Sequence, residues 1–311
     1  LREQTISSRP RTIRKYASNL DTFLRWLRDC RPEGEEALVS VLSKSMMVEF
    51  YAYASKHGRH GNGRSAGTMN KLMGPIYNAW EWAQNDDRWE GLVPSVKRFK
   101  MPKVPRVETR APTWEEMDRC IAACNGWHRQ LALVLRFTGL RVGQVMLLLW
   151  SDFDFEAASL TVRPELGKTD YEKMGRTVPV SKYLLTEMES WAPEGDRSGF
   201  IIDCGRDQTG PRAREARARD VSRAWERAGV PKDKRRQAHH CFRKGFKSGL
   251  VRSADWHAVE RLLGHKIGTG EGHTYTDPNF LPLRDAVAAV PPLSNHLKPV
   301  PGEGRSSTGS A

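Results

Sequence analysis

The sequence predicts a mainly α-helical protein with two domains, the second of which combines helices with a small antiparallel sheet. Three observations favour this fold class. The 311 residues are enough for two ordinary domains. Apolar residues recur at helical spacing along most of the chain, whereas one central stretch has the short apolar segments typical of strands. A proline-rich segment without an apolar period divides the helices into two groups.

Residues 1–90 are predicted to form a small all-helical domain. Its first helix spans Thr12 to Arg28, where apolar side chains fall three and four residues apart. Ser43 to Ser55 and Thr68 to Gln84 favour two more helices. Because proline has no amide hydrogen to donate to the preceding turn, Gly74 and Pro75 together predict a kink or a break in the third helix.

Residues 91–112 are predicted to be an extended linker, since no apolar period continues through them. The segment is both basic and rich in proline, with Pro94, Pro102, Pro105, Pro112, Lys97, Arg98, Lys100 and Lys103. The second domain is predicted to span residues 113–290. It opens with Thr113 and Glu116, whose spacing predicts a capping box at the start of a helix.

The second domain is predicted to change from helices to strands and back to helices. In chain order, the expected elements are helices over 129–138 and 141–149, strands over 153–155, 159–163 and 176–180, and helices over 181–191, 213–228, 239–251 and 254–263. Gly139 is expected to close the first of these helices. Proline, glycine and serine dominate after Pro291, which predicts a disordered tail over 291–311.

Positive charge is concentrated in two separate parts of the chain. The formal net charge is +13 and the sequence pI is about 9.7. Residues 1–105 carry a net charge of +7 and residues 206–252 a net +10, whereas residues 106–205 carry −3. A polyanion held by both halves would explain this distribution, and so would a solvated basic surface without a partner. The clustering favours a nucleic acid.

Composition argues against several other classes of protein. The longest apolar run, Val145 to Trp150, is too short to cross a bilayer, and no stretch of signal-peptide length is evident. Five cysteines in 311 residues indicate a reducing, cytoplasmic setting rather than a disulfide framework. Cys120, Cys124 and His128 share one helical face, which favours core packing over metal binding.

Six side chains near the expected element ends form a set with the chemistry of phosphate transfer: Arg141, Lys168, His240, Arg243, His265 and Tyr275. Arginine forks bind phosphate oxygens and stabilise the charge that develops in a pentacoordinate transition state. Tyrosine can attack phosphorus to form a covalent ester, and lysine or histidine can protonate the departing alkoxide. None of these steps requires a metal or another cofactor, so none is expected.

In their order and spacing, these residues resemble the motifs of the tyrosine recombinase (phage integrase) family. TGLRVGQVMLLLWSDFD (138–154) is similar to the family's first arginine box, and GKT with RTVPV (167–180) to its β-hairpin lysine and third strand. HHCFRK (239–244) is similar to the His-x-x-Arg box, and LLGHKIGTGEGHTYTDP (262–278) to the Leu-Gly-His box with its tyrosine. The resemblance covers roughly residues 5–285. It implies a helical core-type DNA-binding domain ahead of the tyrosine recombinase catalytic fold.

The resemblance also implies a role for each residue at the scissile phosphate. Arg141 and Arg243 would clamp the phosphate, and Tyr275 would attack it. Lys168 would protonate the 5′ leaving oxygen. His240 would act as the base for tyrosine, and His265 would hydrogen-bond the phosphate.

Lys173 is an alternative to Lys168 as the hairpin lysine. The Gly-Lys-Thr context favours Lys168. Lys173 follows Asp170 and Glu172, a polar run that predicts an exposed tip. Tyr171, which lies in the same segment, is the alternative nucleophile to Tyr275.

The chain departs from the family pattern at two positions. Gln144 stands three residues after Arg141, where the family usually has an acidic residue that orients its neighbours. Tyr275 follows His265 by ten residues, where the family commonly has nine. Neither departure removes a catalytic group.

Fold and motifs together predict a site-specific DNA recombinase that integrates or excises a mobile element through a 3′-phosphotyrosine, without metal or ATP. The expected partners are double-stranded DNA and, as the resemblance implies, further copies of the chain in a homotetramer on two DNA sites, together with an accessory DNA-bending protein. The expected location is the nucleoid in the cytoplasm. Two alternatives stay open: a type IB topoisomerase, and a DNA-binding protein of the same fold whose catalysis is impaired through Gln144.

Overall fold

The computed structural model divides the chain into two compact units, residues 1–107 and 108–311. It describes residues 10–30, 43–58, 63–95, 97–104, 109–167, 171–192, 197–205, 211–231, 237–266 and 281–294. Helices dominate both units, and the strands form one small antiparallel sheet in the second, so the predicted fold class is confirmed. None of the helices in these ranges combines the length and apolar character that crossing a bilayer requires.

In the described part of the first unit, three helices pack together: α1 (Pro10–Cys30), α2 (Lys44–Lys56) and α3 (Ala66–Gln84). Their apolar faces meet in a core that contains Phe23, Trp26, Leu27, Met47, Phe50, Met69, Met73, Ile76 and Tyr77. Each helix begins and ends within two residues of its predicted position, because the helical spacing of these apolar side chains is clear in the sequence.

Helix α3 continues through Pro75, so the predicted break is not found. Proline cannot donate to the carbonyl four residues earlier, which belongs to Lys71. The Asn19 side chain of α1 donates a hydrogen bond of 3.0 Å to that carbonyl instead. A neighbouring helix therefore satisfies the acceptor that proline leaves free, and the helix is not interrupted.

The chain that follows α3 lies on the helices of the first unit. The carbonyl of Pro94 accepts hydrogen bonds from Trp80 Nε1 at 3.0 Å and from Gln84 at 2.7 Å. Arg98 forms an ion pair of 2.7 Å with Glu81. Phe99 and Met101 pack against the helical core. The first half of the predicted linker 91–112 therefore packs against the helices of this unit.

The second unit begins with α4 (Trp114–Ala122), α5 (Gly126–Thr138) and the short α6 (Val142–Val145). The predicted capping box is confirmed: the Glu116 amide donates to Thr113 Oγ1 at 3.2 Å, and the Thr113 amide donates to Glu116 at 2.9 Å. Gly139 closes α5 in a left-handed conformation, with φ of 61°.

The prediction of a helix over 141–149 is wrong beyond residue 145. Residues 148–150 leave the helix and pair with residues 199–201 instead, and a short 3-10 helix begins at Trp150. The amide of residue 201 donates to the Leu148 carbonyl at 3.0 Å, and the Trp150 amide donates to the carbonyl of residue 199 at 3.0 Å. A long-range partner therefore takes the backbone groups that a helix would have used.

The sheet contains β1 (Phe153–Asp154), β2 (Ser159–Val162) and β3 (Arg176–Pro179), in that spatial order and antiparallel. Leu160 pairs with Val178, and Val162 pairs with Arg176. Leu160, Val162 and Val178 are buried, so one face of the sheet belongs to the core. The loop between β2 and β3 leads toward the side chains described below.

The chain then forms α7 (Lys182–Glu189), α8 (Pro211–Arg227), α9 (Ala238–Leu250), α10 (Trp256–Leu263) and α11 (Leu283–Ala288). Helix α9 is central, with Phe242 and Phe246 in the core beside Trp225 of α8 and Phe137 of α5. Cys120, Cys124 and Cys241 are buried in the same core. Helix α11 was not predicted, because its six residues are too few to show a period.

The first residues of the predicted tail are anchored to the core. Arg136 donates 2.7 Å hydrogen bonds to Asp118 and to the carbonyl of Pro291. Leu293 is 2% exposed, and the Ser294 amide lies 3.4 Å from Asp118. Residues 295–311 of the tail lie outside the described residues.

Candidate active site

Arg141 is positioned by the turn that closes α5. Gly139 adopts positive φ there, and a Cβ at that position would lie 2.6 Å from Phe246 of α9 and 2.8 Å from Leu263 of α10. Only glycine fits both the conformation and the space. The turn therefore brings Arg141, at the N-terminus of α6, close to the two helices that carry the other predicted residues.

The guanidinium of Arg141 is paired with a carboxylate from the loop between β2 and β3. Its Nη1 donates to Glu172, whose side chain is fully buried. Gln144 does not take this place: it accepts from the Arg141 amide at 3.1 Å and lies 3.4 Å from the Leu166 carbonyl. The carboxylate beside the first arginine thus comes from residue 172.

Arg243 projects inward from α9 and is only 4% exposed. Its Nη1 donates to the Gly139 carbonyl at 2.9 Å, and its Nη2 donates to the Leu263 carbonyl at 2.8 Å. Burial, followed by the charges of Arg141 and Arg176, lowers the pKa of Arg243 to about 9. The guanidinium remains charged at neutral pH and joins the turn after α5 to the end of α10.

His265 follows the left-handed Gly264 that ends α10. Its Nε2 lies 2.8 Å from Arg243 Nη2, and its Nδ1 lies 2.5 Å from Glu260. Because a guanidinium can only donate, Nε2 accepts and Nδ1 carries the hydrogen that Glu260 accepts. Burial and the Arg243 charge lower the pKa of His265, against the opposing effect of Glu260. The imidazole is therefore neutral here.

Glu260 orients His265 and is held in turn by Lys247. Burial favours the protonated carboxyl, but hydrogen bonds from Lys247 and His265 outweigh it and lower the pKa of Glu260. The Lys247 ammonium also lies 4.3 Å from the centre of the Trp256 ring. A chain of contacts from Lys247 through Glu260 and His265 to Arg243 therefore fixes the histidine.

The loop between β2 and β3 is closed at its base, next to the predicted general acid. Gly167 packs so closely that a Cβ there would lie 2.5 Å from the backbone of Glu172 and Lys173. Lys168 comes directly after this contact in the chain but lies outside the described residues. Lys173 is exposed, as predicted, whereas the prediction that Glu172 belongs to an exposed tip is wrong, because it pairs with Arg141.

The structure brings three of the six predicted residues together: Arg141, Arg243 and His265. His240 lies in the first turn of α9, one turn before Arg243, and its side chain is exposed. Lys168 and Tyr275 lie outside the described residues. The catalytic roles of all six therefore stay predictions.

The sequence reasoning missed three charged residues at this site: Glu172, Arg176 and Glu260. Each is less than 9% exposed, although charged side chains are rarely buried unless they are paired. Glu260 carried a signal, since it lies five residues before His265 on the last turns of a predicted helix. Glu172 and Arg176 gave none, because their burial depends on contacts with α6 and α10.

Two guanidinium groups from different helices, one of them in contact with a histidine, form a site for an oxyanion. Arg141 retains 28% of its side-chain exposure, so an incoming group can reach it, whereas Arg243 is nearly enclosed. Fixed donors of this kind stabilise charge that develops on phosphate oxygens. Among the described residues, no three His, Cys, Asp or Glu side chains are grouped as metal ligands.

Comparison with known proteins identifies relatives over both units. The profile described as "Phage integrase family" matches residues 113–280, just over half of the chain, and this range contains all six predicted residues. Tyrosine recombinase XerA of Thermococcus kodakarensis is 27% identical over 265 residues, which cover 82% of this chain and 81% of XerA.

Two solved structures have a similar fold. A lambda integrase dimer bound to a COC' core site matches with a TM-score of 0.63 and 18% identity, over 90% of this chain and 76% of that chain. A lambda integrase tetramer bound to a Holliday junction matches with a TM-score of 0.63 and 18% identity, over 85% of this chain and 71% of that chain.

Proposed function

The chain belongs to the phage integrase family, and we propose that it is a tyrosine recombinase that cuts and rejoins double-stranded DNA at specific sites. One observation carries the proposal: Arg141, Arg243 and His265, which are far apart in the sequence, lie together where the end of α5, the middle of α9 and the end of α10 meet. Two guanidinium groups and a histidine suit a phosphodiester whose charge grows in the transition state.

In the proposed reaction, the Tyr275 hydroxyl oxygen attacks the scissile phosphorus while its proton passes to His240. The bond from phosphorus to the 5′ oxygen breaks, and Lys168 gives a proton to that oxygen. The products are a 3′-phosphotyrosine and a free 5′ hydroxyl. A 5′ hydroxyl from another strand then reverses these steps, so no ATP is consumed. Arg141 and Arg243 stabilise the phosphorane charge in both directions.

His265 must change its protonation state to donate to the phosphate. In the DNA-free structure its Nε2 accepts from Arg243, and its hydrogen is on Nδ1. A proton added at Nε2 would create an imidazolium that Glu260 stabilises and that can donate to a phosphate oxygen. The charge of the arriving phosphate favours this change, because a nearby anion raises the pKa of a histidine.

The proposed substrate is duplex DNA held by both basic regions of the chain. Relatives support this part of the proposal, since the matched lambda integrase structures hold a core site in one case and a Holliday junction in the other. We propose that four copies of the chain act on two sites and exchange C-terminal segments, with an accessory protein bending the DNA. Integration or excision of a mobile element is the expected outcome.

Gln144 keeps a second candidate function open, that of a DNA-binding protein with impaired catalysis. The pairing of Arg141 with Glu172 argues against impairment, because the first arginine still has a carboxylate beside it. A type IB topoisomerase, the third candidate, would use the same chemistry without a preferred site.

A plasmid assay separates these functions. One supercoiled plasmid carries two copies of the DNA that flanks the coding region, and a matched plasmid carries scrambled copies. A recombinase rearranges only the first plasmid, because only that plasmid carries intact sites. Equal relaxation of both plasmids would indicate a topoisomerase. Binding to the first without any cut strand would indicate a DNA-binding protein, and would contradict the proposal.

A further inference from the structure

Arg176 contacts the end of α10, next to the residue that Arg243 contacts. It is the first residue of β3, where it pairs with Val162. Its Nη2 lies 3.3 Å from the Leu262 carbonyl at the end of α10. The guanidinium packs closely against Gly264, where a Cβ would lie only 2.5 Å from Nη1. Arg176 and Arg243 therefore hold the same short segment before His265.

The charge of Arg176 has no counter-charge among the described residues. The side chain is 6% exposed, and its Nε and Nη1 atoms have no hydrogen-bond partner there. Arg136, which is fully buried, is paired with Asp118 at 2.7 Å, and the partly exposed Arg163 on the same hairpin as Arg176 is paired with Asp152 at 2.9 Å. A buried charge without a partner costs stability, so a fold has no structural reason to keep one.

The neighbours of Arg176 are themselves cationic. Burial, then the charges of Arg261 and Arg141, lowers the pKa of Arg176 to about 10, so it stays charged at neutral pH. Arg176 in turn lowers the pKa of Arg243. Around the site, Arg141, Arg176, Arg243 and Lys247 carry four positive charges against the two carboxylates Glu172 and Glu260, which leaves two positive charges in excess before Arg261 is counted.

We propose that Arg176 is a third guanidinium of the active site, whose uncompensated charge stabilises the phosphate that Arg141 and Arg243 bind. The inference rests on the proposed function. A phosphodiester carries one negative charge and its pentacoordinate transition state nearly two, which matches the excess at the site. Because the Arg176 nitrogens are shielded, it acts through its electric field rather than by contact. Stabilisation of the phosphate therefore requires the positive charge of Arg176 but not the planar arrangement of its donors.

Thermal unfolding separates an uncompensated charge from a purely structural role for Arg176. If the role is structural, Arg176→Met should lower the midpoint of unfolding. If its charge is uncompensated, Arg176→Met removes a cost, and the midpoint of thermal unfolding should stay the same or rise. Arg163→Met is the matched control on the same hairpin, because it takes the ionic partner from Asp152 and should lower the midpoint. Arg176→Gln, which keeps a donor for the Leu262 carbonyl, replaces the methionine variant if that one does not fold.

Inorganic sulfate tests the charge without requiring catalysis. Calorimetric titration of the full chain at constant ionic strength should show sulfate binding that weakens roughly tenfold in Arg176→Met, the effect of one charge at short range. Arg163→Met should bind as the wild type does. Equal sulfate affinity in Arg176→Met and the wild type would overturn the proposal, whatever the chain does to DNA.

Cleavage then tests the same charge at the transition state. Arg176→Met should cleave a phosphodiester roughly tenfold more slowly, but should match the wild type on a methylphosphonate, where a methyl group replaces one charged oxygen. Arg176→Lys should cleave both at nearly the wild-type rate. An equal loss on both linkages would show a structural role and overturn the proposal. If the wild type cleaves neither, the proposed function fails, and the sulfate titration still decides the role of Arg176.

Discussion

Two regions of the second unit bury arginine in contrasting ways. In α5, Arg136 is fully buried, pairs with Asp118 and donates to the Pro291 carbonyl, so its charge is met, although its Nη2 has no hydrogen-bond partner among the described residues. At the candidate active site, Arg141 is paired with Glu172, whereas Arg176 and Arg243 have no ion pair among the described residues. The difference separates a buried charge that is balanced within the fold from buried charges that, under our proposal, a phosphate balances.

The largest expected effect comes from breaking the balanced region. Arg136→Met leaves Asp118 buried without its partner, and we expect the free energy of unfolding to fall by about 3–5 kcal/mol. Cleavage per folded molecule should not change at low temperature. Urea denaturation measures the loss. Arg25→Met, which removes an exposed ion pair with Asp21, is the control and should cost less than about 1 kcal/mol.

Substitutions at the candidate active site should lower the rate of cleavage. Arg141→Lys and Arg243→Lys keep the charge but lose the planar pair of donors. Each should lose about 3 kcal/mol of transition-state stabilisation, roughly a hundredfold in rate. Single-turnover cleavage of a nicked substrate measures this loss. A variant that cleaves at nearly the wild-type rate would remove its arginine from the site.

The pairing of Arg141 sharpens the comparison further. Glu172→Gln should slow cleavage roughly tenfold, because a neutral amide orients the Arg141 guanidinium less firmly than a carboxylate does. Adding Gln144→Glu should restore part of the rate, since it returns a negative charge three residues after Arg141, although the side chain at position 144 binds the Arg141 amide rather than its guanidinium. Rates of the two single variants and the double variant form the test. If the double variant is no faster than Glu172→Gln, the carboxylate has no orienting role.

The smallest expected effect concerns the pH dependence of His265. If the reaction needs the imidazolium, activity is present below the His265 pKa and is lost as pH rises through it. Glu260 opposes the lowering of this pKa, so Glu260→Gln should move the loss to lower pH. The Lys247 charge lowers the same pKa, so Lys247→Met should move it to higher pH. Unchanged pH–rate profiles would show that His265 acts as the neutral form.

Local sequence signals predicted much of the fold and part of the site. The Thr113 capping box and the Gly139 turn are local, and both are confirmed. Arg141, Arg243 and His265 were found because each follows or lies within a short motif. The packing of α5, α9 and α10 brings these three residues together. The sequence motifs indicated this proximity only through the family resemblance.

The features that sequence did not reveal depend on partners far along the chain. Residues 148–150 leave the predicted helix because residues 199–201 pair with them. Pro75 does not interrupt α3 because Asn19 supplies the missing donor. Glu172 is buried because Arg141 binds it, although its polar neighbours predict exposure. In each case a tertiary contact overrides a local preference.

Covalent trapping tests the central claim most directly. A DNA duplex from the flanking sequence carries a nick just beyond the cleavage position. The short fragment that bears the released 5′ hydroxyl therefore diffuses away, and the adduct persists because nothing reverses it. The wild type should give a protein–DNA adduct in denaturing electrophoresis, and peptide mapping should place it at Tyr275. Tyr275→Phe should bind the duplex equally well and form no adduct, while Tyr171→Phe should behave as the wild type. An adduct that persists in Tyr275→Phe, or its absence in the wild type, would contradict the account.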